Sequence, residues 1–310
     1  MRRLRFGEFV VDVDTDDGAV ADFIDRIAGP STVAQPTHQL VIRRTGETCL
    51  VIDETCGVIS LTLSRDTVGP TVQIGVLQAV TRSIAYLNRS AGTRMLLHGS
   101  AFTLASGAGV AVLDGGLGQG KTSLALAMAR ERGQLLVDEF AFARTTPDGV
   151  VLSAAPTLPW HIRPDMAPYL APLPGSAPLR YPCELQATVA TAPRDSPLGL
   201  ILIPDQRLRA GQIAPVDGVR ARSLLRRAVT DHLSKLADPR LDHVSIFTNV
   251  NQVVDQARRP LAEQTTPLIA QVDLLRHVAS VPAFRVGIGA PADLAASTAA
   301  AGLAVETVTG

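Results

Sequence analysis

The sequence has little cysteine and no net charge, and each absence excludes a class of protein. Only three of its 310 residues are cysteines, too few and too unevenly spaced for a disulfide framework or a structural zinc site. Cys49 and Cys56 could meet across a hairpin, but we predict that both are buried free thiols. The formal net charge is zero. This argues against nucleic-acid binding, since nucleic-acid-binding proteins usually carry a clustered basic excess.

Long apolar runs are also missing. No stretch approaches the ~20 apolar residues that a membrane-spanning helix needs. The first residues, MRRLRFGEFVVDVDTDDG, turn acidic directly after their arginines, and they contain no apolar core of signal-peptide length. We therefore expect no membrane association and a cytoplasmic location.

The first part of the chain predicts a small α+β module over residues 1–93. Short runs alternate apolar and polar side chains, which is typical of strands in an antiparallel or mixed sheet. Helical spacing of apolar residues predicts one helix over 18–29 and another that begins near 71 and ends before Gly92. Substrate docking, oligomerisation or neither stay open as its role. The predicted strands are 9–14, 38–44, 48–54 and 57–64.

From residue 94 onward the sequence pattern changes, and residues 94–310 predict an α/β domain. Two apolar strands around the turn SGAG form a hairpin, and its second strand, GVAVLD, continues into a glycine-rich loop. KTSLALAMARER is rich in helix formers and stops at Gly133. The proline-rich segment 155–185 fits no regular element. Further predictions are a strand pair in 134–155, a buried strand over 198–206, helices over 220–237 and 253–280 (with a break near Pro260), and a strand followed by a helix over 283–303.

The loop between hairpin and helix has the pattern of a phosphate-binding loop. Residues 115–122 satisfy G-x-x-x-x-G-K-[ST] in full, where glycines let backbone N–H groups surround an anion at a helix N-terminus. Lys121 would reach the phosphates and Thr122 would ligate Mg²⁺. The chain has only one other lysine, Lys235, so an incidental lysine in a glycine-rich turn is the weaker interpretation. The predicted nucleotide contacts are Gly115, Gly116, Leu117, Gly118, Gln119, Gly120, Lys121, Thr122 and Ser123.

An acidic pair follows at short range. Asp138 and Glu139 close the apolar run LLVDEF, seventeen positions after Lys121. An acid at a strand end commonly completes a phosphate-loop site by holding Mg²⁺ directly or through water. Since only one helix and one strand intervene, we expect Asp138 to lie beside the loop. The alternative is an acidic pair on the surface.

Several of these features together resemble one known family. They are His98-Gly99-Ser100, the hairpin, the loop, Arg132-Gly133 and the run 136–140. Over about 95–145 the chain is similar to the HPr kinase/phosphorylase family and its kinase-like relatives in peptide and metabolite gene clusters. The resemblance implies a core like that of phosphoenolpyruvate carboxykinase, a mixed sheet flanked by helices. It also implies ATP- and Mg²⁺-dependent phosphorylation of a serine hydroxyl on a protein or peptide.

The resemblance also implies residue roles. Lys121 and Thr122 would bind phosphate and metal, Asp138 would accept the proton of the acceptor hydroxyl, and Glu139 would help to hold Mg²⁺. His98 matches a histidine that lies close to the phosphates in the family, and its alternative is a hydrogen-bonded core histidine. Arg163, in PWHIRPD, is our candidate for a γ-phosphate contact, and its alternative is an ordinary exposed loop residue.

The chain departs from the family in ways that narrow the expected activity. It has Asp-Glu where the bifunctional enzymes usually carry two aspartates, it lacks one residue ahead of the apolar run, and the C-terminal signature associated with phosphorolysis is not found. We therefore expect a kinase without the phosphorylase reaction or the classical HPr substrate.

Three functions are compatible with these residues. The favoured one is a kinase for a Ser or Thr hydroxyl of a peptide or protein. The others are a small-molecule hydroxyl kinase with the same site and a non-catalytic nucleotide-binding regulatory module. Asp138 argues against the module, because a nucleotide sensor needs no base. Homo-oligomerisation stays open: the related kinases are often oligomeric, but no exposed apolar seam is recognisable in the sequence.

Overall fold

The structure is a computed structural model. It describes residues 2–28, 34–66, 70–88, 94–113, 120–138, 140–154, 160–162, 166–170, 183–185, 195–217, 219, 223 and 272–309. Within that part the residues form two compact units, one ending at Met95 and the other beginning at Leu96. The predicted boundary, between residues 93 and 94, lies two residues from this division. The roles predicted for 1–93 and 94–310 stay predictions.

In the described residues, the first unit is a five-stranded mixed sheet with two helices. The strand order is β1-β2-β3-β5-β4. Strand β3 runs parallel to β2 and β5, whereas the edge strands β1 and β4 are antiparallel to their neighbours. Helices α1 and α2 contact each other, and each packs against the sheet. The elements are β1 (Arg2–Phe6), β2 (Phe9–Thr15), α1 (Gly18–Ile27), β3 (His38–Thr45), β4 (Cys49–Asp53), β5 (Val58–Ser64) and α2 (Pro70–Leu87).

Local chemistry explains why these elements form where they do. Strand β5, VISLTLS, alternates between buried and half-buried residues along its whole length, as a strand with one covered face should. Helix α1 begins after Asp17, whose carboxylate accepts a hydrogen bond from the Val20 N–H at 2.9 Å. An aspartate in this position satisfies one of the unpaired N–H groups of the first turn.

Two findings in this unit differ from the predictions. Strand β1 was missed, although Leu4 and Phe6 are buried in the alternation Arg-Leu-Arg-Phe. The predicted burial of Cys49 and Cys56 is wrong, because both are free but exposed. Cys49 lies on the uncovered face of the edge strand β4, where exposed and buried residues alternate, and Cys56 lies in the turn before β5.

His38 should make the stability of this unit depend on pH. Its Nδ1 lies 2.8 Å from the Thr37 hydroxyl, its Nε2 lies 3.5 Å from the Asn88 amide nitrogen, and its ring meets that of Phe9 edge to face. Burial lowers the pKa of His38 below the ordinary value of 6.5. The unfolded chain therefore binds a proton more readily, and the free energy of unfolding should fall as the pH drops below that value.

Urea unfolding at several pH values checks this expectation. The His38→Gln variant should lose part of the decrease in unfolding free energy that the wild-type protein shows between neutral and mildly acidic pH. Equal pH dependence in the two proteins would contradict the assignment.

The second unit is built on a larger sheet that curls. Seven of its eight strands follow the order β10-β9-β6-β7-β13-β15-β14. The eighth strand, β8, pairs with β6, and β10 also pairs with β13. The elements are β6 (Arg94–Leu104), β7 (Gly109–Leu113), α3 (Lys121–Arg132), β8 (Gly133–Val137), β9 (Phe140–Thr146), β10 (Gly149–Ser153), β11 (Trp160–Ile162), α4 (Ala167–Leu170), β12 (Cys183–Leu185), β13 (Ser196–Asp205), β14 (Ile213–Pro215), α5 (Val272–Ser280), β15 (Ala283–Gly287) and α6 (Leu294–Thr309).

The sheet is mixed, and this confirms the predicted α/β class at that level. Strand β13 runs parallel to both β7 and β15, whereas β6 is antiparallel to β7 and β8. Every residue of β7 is buried, as expected for a strand that has neighbours on both edges and a helix, α3, packed against it. Helix α3 contacts β7, β8, α4 and α6, and α6 contacts β13, β14 and β15.

Helix α3 is a core helix. Its residues 123–129 are all buried, which is typical of a helix that is covered on several sides. Small alanines allow this close packing, and Arg132 at the end of the helix bonds Glu306 of α6 at 3.0 Å. The helix that begins at the predicted loop is therefore held firmly by the unit around it.

The second unit contains most of the strands and helices that the sequence predicted for its described residues. The hairpin, the helix from Lys121, the buried strand in 198–206 and the final strand and helix are confirmed as β6–β7, α3, β13, β15 and α6. The described part of the proline-rich segment contains α4 and the paired strands β11 and β12. Strand β14 was not predicted. Apart from Ser223, the predicted helix over 220–237 lies outside the described residues. So does most of the helix predicted over 253–280, of which Val272–Ser280 is helical.

Among the described residues, no helix combines the length and the apolar character needed to cross a bilayer.

Candidate functional site

The start of α3 is the first element of the candidate site. Gly120 precedes the helix with φ at 84°, in the left-handed region, a conformation that a glycine adopts without strain. The Leu124 N–H donates to the Gly120 carbonyl at 2.9 Å, which closes the first helical turn. Lys121 and Thr122 are partly buried and Ser123 is buried. The predicted contacts Gly115, Gly116, Leu117, Gly118 and Gln119 lie outside the described residues.

The structure brings Thr122 and Asp138 together. The Thr122 hydroxyl donates to Asp138 Oδ1 at 2.9 Å. Asp138 directly follows the buried end of β8. Thr122 and Asp138 are both partly buried. Asp138 therefore contacts Thr122, the last residue of the G-x-x-x-x-G-K-[ST] pattern, and its position relative to the loop itself stays a prediction. A carboxylate and a hydroxyl in direct contact at a helix N-terminus can together face an anionic ligand and its metal ion.

A third side chain joins this pair. The Ser100 hydroxyl also donates to Asp138 Oδ1, and Ser100 lies in β6 with only 1% of its surface exposed. One carboxylate oxygen therefore accepts hydrogen bonds from two hydroxyls that come from different elements. Ser100 was not among the predicted site residues. The signal for it was its place in the His98-Gly99-Ser100 motif.

A β-bulge sets the partner of Asp138. Strands β6 and β8 pair Leu104 with Gly133 and Phe102 with Leu135, but then Ala101 with Val137, so that Leu136 is an extra residue. Continued by one residue, the shifted register puts Asp138 opposite Ser100. Without the extra residue, Asp138 would face Gly99, which has no side chain to donate. Bulges commonly redirect side chains near functional sites in this way.

The return from α3 to β6 is tight at Gly133. This residue ends α3 and starts β8, and its N–H donates to the Ala129 carbonyl. A Cβ at this position would collide with the Thr103 carbonyl oxygen and lie 2.8 Å from the Thr103 carbonyl carbon. The Ala105 N–H donates to the Arg132 carbonyl at 3.2 Å. Because of this close contact with β6, the next strand begins directly after the helix, and Asp138 returns to the helix start.

Asp138 follows a strand that is shorter than the sequence predicted. Strand β8 ends at Val137 and β9 begins at Phe140, and both pair with β6. Asp138 therefore lies at a break along one edge of β6, where its side chain is not confined to the alternation of a regular strand.

The other predicted residues are placed less completely. His98 lies in β6, two residues before Ser100, and its side chain is outside the described part of the structure. Glu139 and Arg163 lie outside the described residues as well. The structure therefore tests the contact among Ser100, Thr122 and Asp138, and leaves the assignments of His98, Glu139 and Arg163 as predictions.

The donor set fits Mg²⁺ bound together with a phosphate ligand. Among the residues that the structure describes, no three His, Cys, Asp or Glu side chains lie together as a protein-built metal cage would need. Mg²⁺ usually takes one or two carboxylates, and water and substrate phosphates complete its oxygen ligands. The oxygens of Thr122 and Asp138, 2.9 Å apart, match that smaller contribution from the protein.

Comparison with known proteins adds no assignment. No protein-family model matches the chain, and no curated protein matches it.

Proposed function

We propose that the chain is an ATP- and Mg²⁺-dependent kinase that transfers the γ-phosphate to a Ser or Thr hydroxyl of a peptide or protein. The observation that carries this proposal is the 2.9 Å hydrogen bond between Thr122 and Asp138. It joins the hydroxyl of the G-x-x-x-x-G-K-[ST] pattern to the acid that follows the next strand. The resemblance to HPr kinase and to the phosphoenolpyruvate carboxykinase core supports a kinase domain over 94–310. A cytoplasmic location belongs to the same proposal.

In this proposal the start of α3 binds the nucleotide phosphates. The first-turn N–H groups of a helix carry partial positive charge, which favours an anion at that end. Lys121 is the first residue of α3, so its ammonium adds full charge at the same point. Residues 115–120 would surround the phosphates with backbone N–H groups.

Thr122 and Asp138 would hold the metal ion that accompanies the phosphates. The Thr122 hydroxyl donates a hydrogen bond to Asp138. The lone pairs of the Thr122 oxygen therefore stay available to bind the metal ion. Bound Mg²⁺ would neutralise charge on the phosphate oxygens during transfer.

Asp138 has a second part in the proposal. Its carboxylate would orient the acceptor hydroxyl and take the proton of that hydroxyl. Phosphoryl transfer depends mainly on such positioning and on charge neutralisation. Glu139 would assist with the metal and His98 would lie close to the phosphates, as the family resemblance implies. Arg163, our candidate from the proline-rich segment, would contact the γ-phosphate.

Nucleotide binding can be tested before any acceptor is known, because the chain has only two lysines, Lys121 and Lys235. An acyl phosphate of ATP transfers its acyl group to a lysine amine held near the phosphates. Mass spectrometry should find the label on Lys121, and excess ATP–Mg²⁺ should prevent it, whereas Lys235 is the internal control. Equal labelling of both lysines, or labelling that ATP does not prevent, would contradict a nucleotide site at α3.

Lys121→Ala should reduce phosphoryl transfer by about 100-fold or more, because a charge aimed at the transferring group is lost. The assay incubates the protein with ATP–Mg²⁺ and candidate peptides and follows the mass gain of one phosphate. Lys235→Ala is the matched control and should transfer phosphate like the wild-type protein. Full activity of Lys121→Ala would remove the loop from the mechanism.

The same assay separates the kinds of acceptor. A phosphorylated peptide supports the peptide or protein kinase. ATP consumption that depends on an added metabolite, with no peptide modified, supports the small-molecule kinase. Binding of ATP without any transfer supports the regulatory module.

A further inference from the structure

We infer that Ser100 is a positioning residue of the metal site, an inference that rests on the proposed kinase function. Its hydroxyl holds the Asp138 carboxylate in the orientation in which Asp138 and Thr122 together accept a divalent cation. Ser100 acts through Asp138 and not on the metal ion, the nucleotide or the acceptor.

The first observation behind this inference is where Ser100 lies. It is 1% exposed, in a strand that pairs with β7, β8 and β9, and it lies opposite Val112 of β7. A buried hydroxyl needs a hydrogen-bond partner, and this one donates to Asp138 Oδ1. Ser100 therefore provides a fixed donor on the rigid side of the site.

The second observation is that both hydroxyls donate to the same atom. Thr122 lies in the first turn of α3, and Ser100 lies in the middle of the sheet. Two donors on different elements define the direction of the Asp138 carboxylate more narrowly than one donor can. Groups that orient a metal ligand from behind commonly change metal affinity or activity by about 10- to 100-fold when they are removed.

The third observation is that the regular pairing of β6 with β8 is interrupted next to Ser100. The extra residue Leu136 in β8 interrupts the ladder with β6, and the shifted register brings Asp138 to Ser100. The adjacent Gly99 allows the close approach of β7, since a Cβ there would lie 2.5 Å from the Val112 carbonyl oxygen. The local backbone is thus arranged so that the residue opposite Asp138 carries a hydroxyl.

The test measures metal binding directly and needs no acceptor. Mn²⁺ serves as the probe in the presence of ADP, and its EPR signal reports how much of it remains free. The Ser100→Ala variant should bind Mn²⁺ about 10-fold or more weakly than the wild-type protein. Ser100→Thr keeps the hydroxyl and should bind Mn²⁺ as the wild-type protein does.

A matched control separates this role from a loss of packing. Ser196 is also buried, and its hydroxyl lies 2.6 Å from the hydroxyl of Thr103 on the same strand β6, away from Asp138. Ser196→Ala should bind Mn²⁺ normally. Thermal unfolding of all three variants shows whether each is folded at the temperature of the measurement.

The outcomes decide separately on the inference and on the proposed function. If Ser100→Ala binds Mn²⁺ with wild-type affinity, the inference is wrong. It is also wrong if Ser100→Thr does not restore binding, or if Ser196→Ala weakens binding equally. If the wild-type protein itself does not bind Mn²⁺ in the presence of ADP, the proposed function fails first.

Discussion

Asp138→Asn is expected to reduce phosphoryl transfer by about 10³-fold or more, since a catalytic proton acceptor and a metal ligand would be lost together. The fold should survive, because the asparagine carbonyl oxygen can still accept the hydrogen bonds that Thr122 and Ser100 donate. What disappears is the negative charge. Initial rates of ATP-dependent peptide phosphorylation, with circular dichroism as the check on folding, measure this effect.

A second aspartate in the same unit provides the control for Asp138→Asn. Asp195 accepts hydrogen bonds from the Ser153 hydroxyl at 3.3 Å and the Ala154 N–H at 3.2 Å, and it pairs with Arg144 at 3.5 Å. Asp195→Asn therefore makes the same chemical change at another hydrogen-bonded carboxylate of this unit. It should leave transfer unchanged. If Asp138→Asn retains wild-type transfer, Asp138 has no part in the mechanism.

Magnesium dependence can separate the two roles of Asp138. If its main contribution is to hold the metal ion, raising the Mg²⁺ concentration should recover part of the lost rate in Asp138→Asn, because weaker binding is overcome by mass action. If its main contribution is proton acceptance, added Mg²⁺ should leave the rate low. Contact with Thr122 in the structure favours partial recovery.

Gly133→Ala is expected to lower the free energy of unfolding by about 3 kcal/mol or more, at the upper end for an overpacked site. The added Cβ would collide with the backbone of Thr103, which, unlike a side chain, cannot rotate away. The collision lies where α3 ends and β8 pairs with β6, so any relaxation must disturb that pairing. Urea unfolding followed by circular dichroism measures the loss.

Another glycine of this unit tests whether the effect is specific. Gly199 lies in β13, and a Cβ there would meet the Ala108 Cβ at 3.4 Å, an ordinary van der Waals contact. Gly199→Ala should change the unfolding free energy by less than about 1 kcal/mol in either direction. A Gly133→Ala variant as stable as Gly199→Ala would show that β6 and β8 can separate at little cost.

Local patterns explain which parts of the site could be predicted. The start of α3 at Lys121 follows from a glycine before a run of helix formers, and Gly120 indeed adopts the left-handed conformation there. The β6–β7 hairpin follows from two apolar runs around SGAG, where Gly107 has a positive φ of 88°. In each case the residues that decide the structure are neighbours in the chain, so the pattern is visible in the sequence.

The missed features depend on distant residues. Strand β1 forms because Leu4 and Phe6 are buried in the core. The arginines next to them in the sequence did not indicate this burial. Cys49 is exposed because β4 is an edge strand with an uncovered face, whereas Cys56 lies in a turn. The order of strands in a sheet cannot be read from a local pattern.

By itself, the sequence determined that a strand, a loop, a helix and a second strand bring an acid back towards Thr122, because helix and strand lengths follow from local composition. Only the tertiary structure decided that Asp138 also meets Ser100. That contact requires β8 to pair with β6 across 38 positions of the chain and to accommodate one extra residue at Leu136. A shift of a single residue changes which side chains face each other, and the shift is set by packing of the whole sheet.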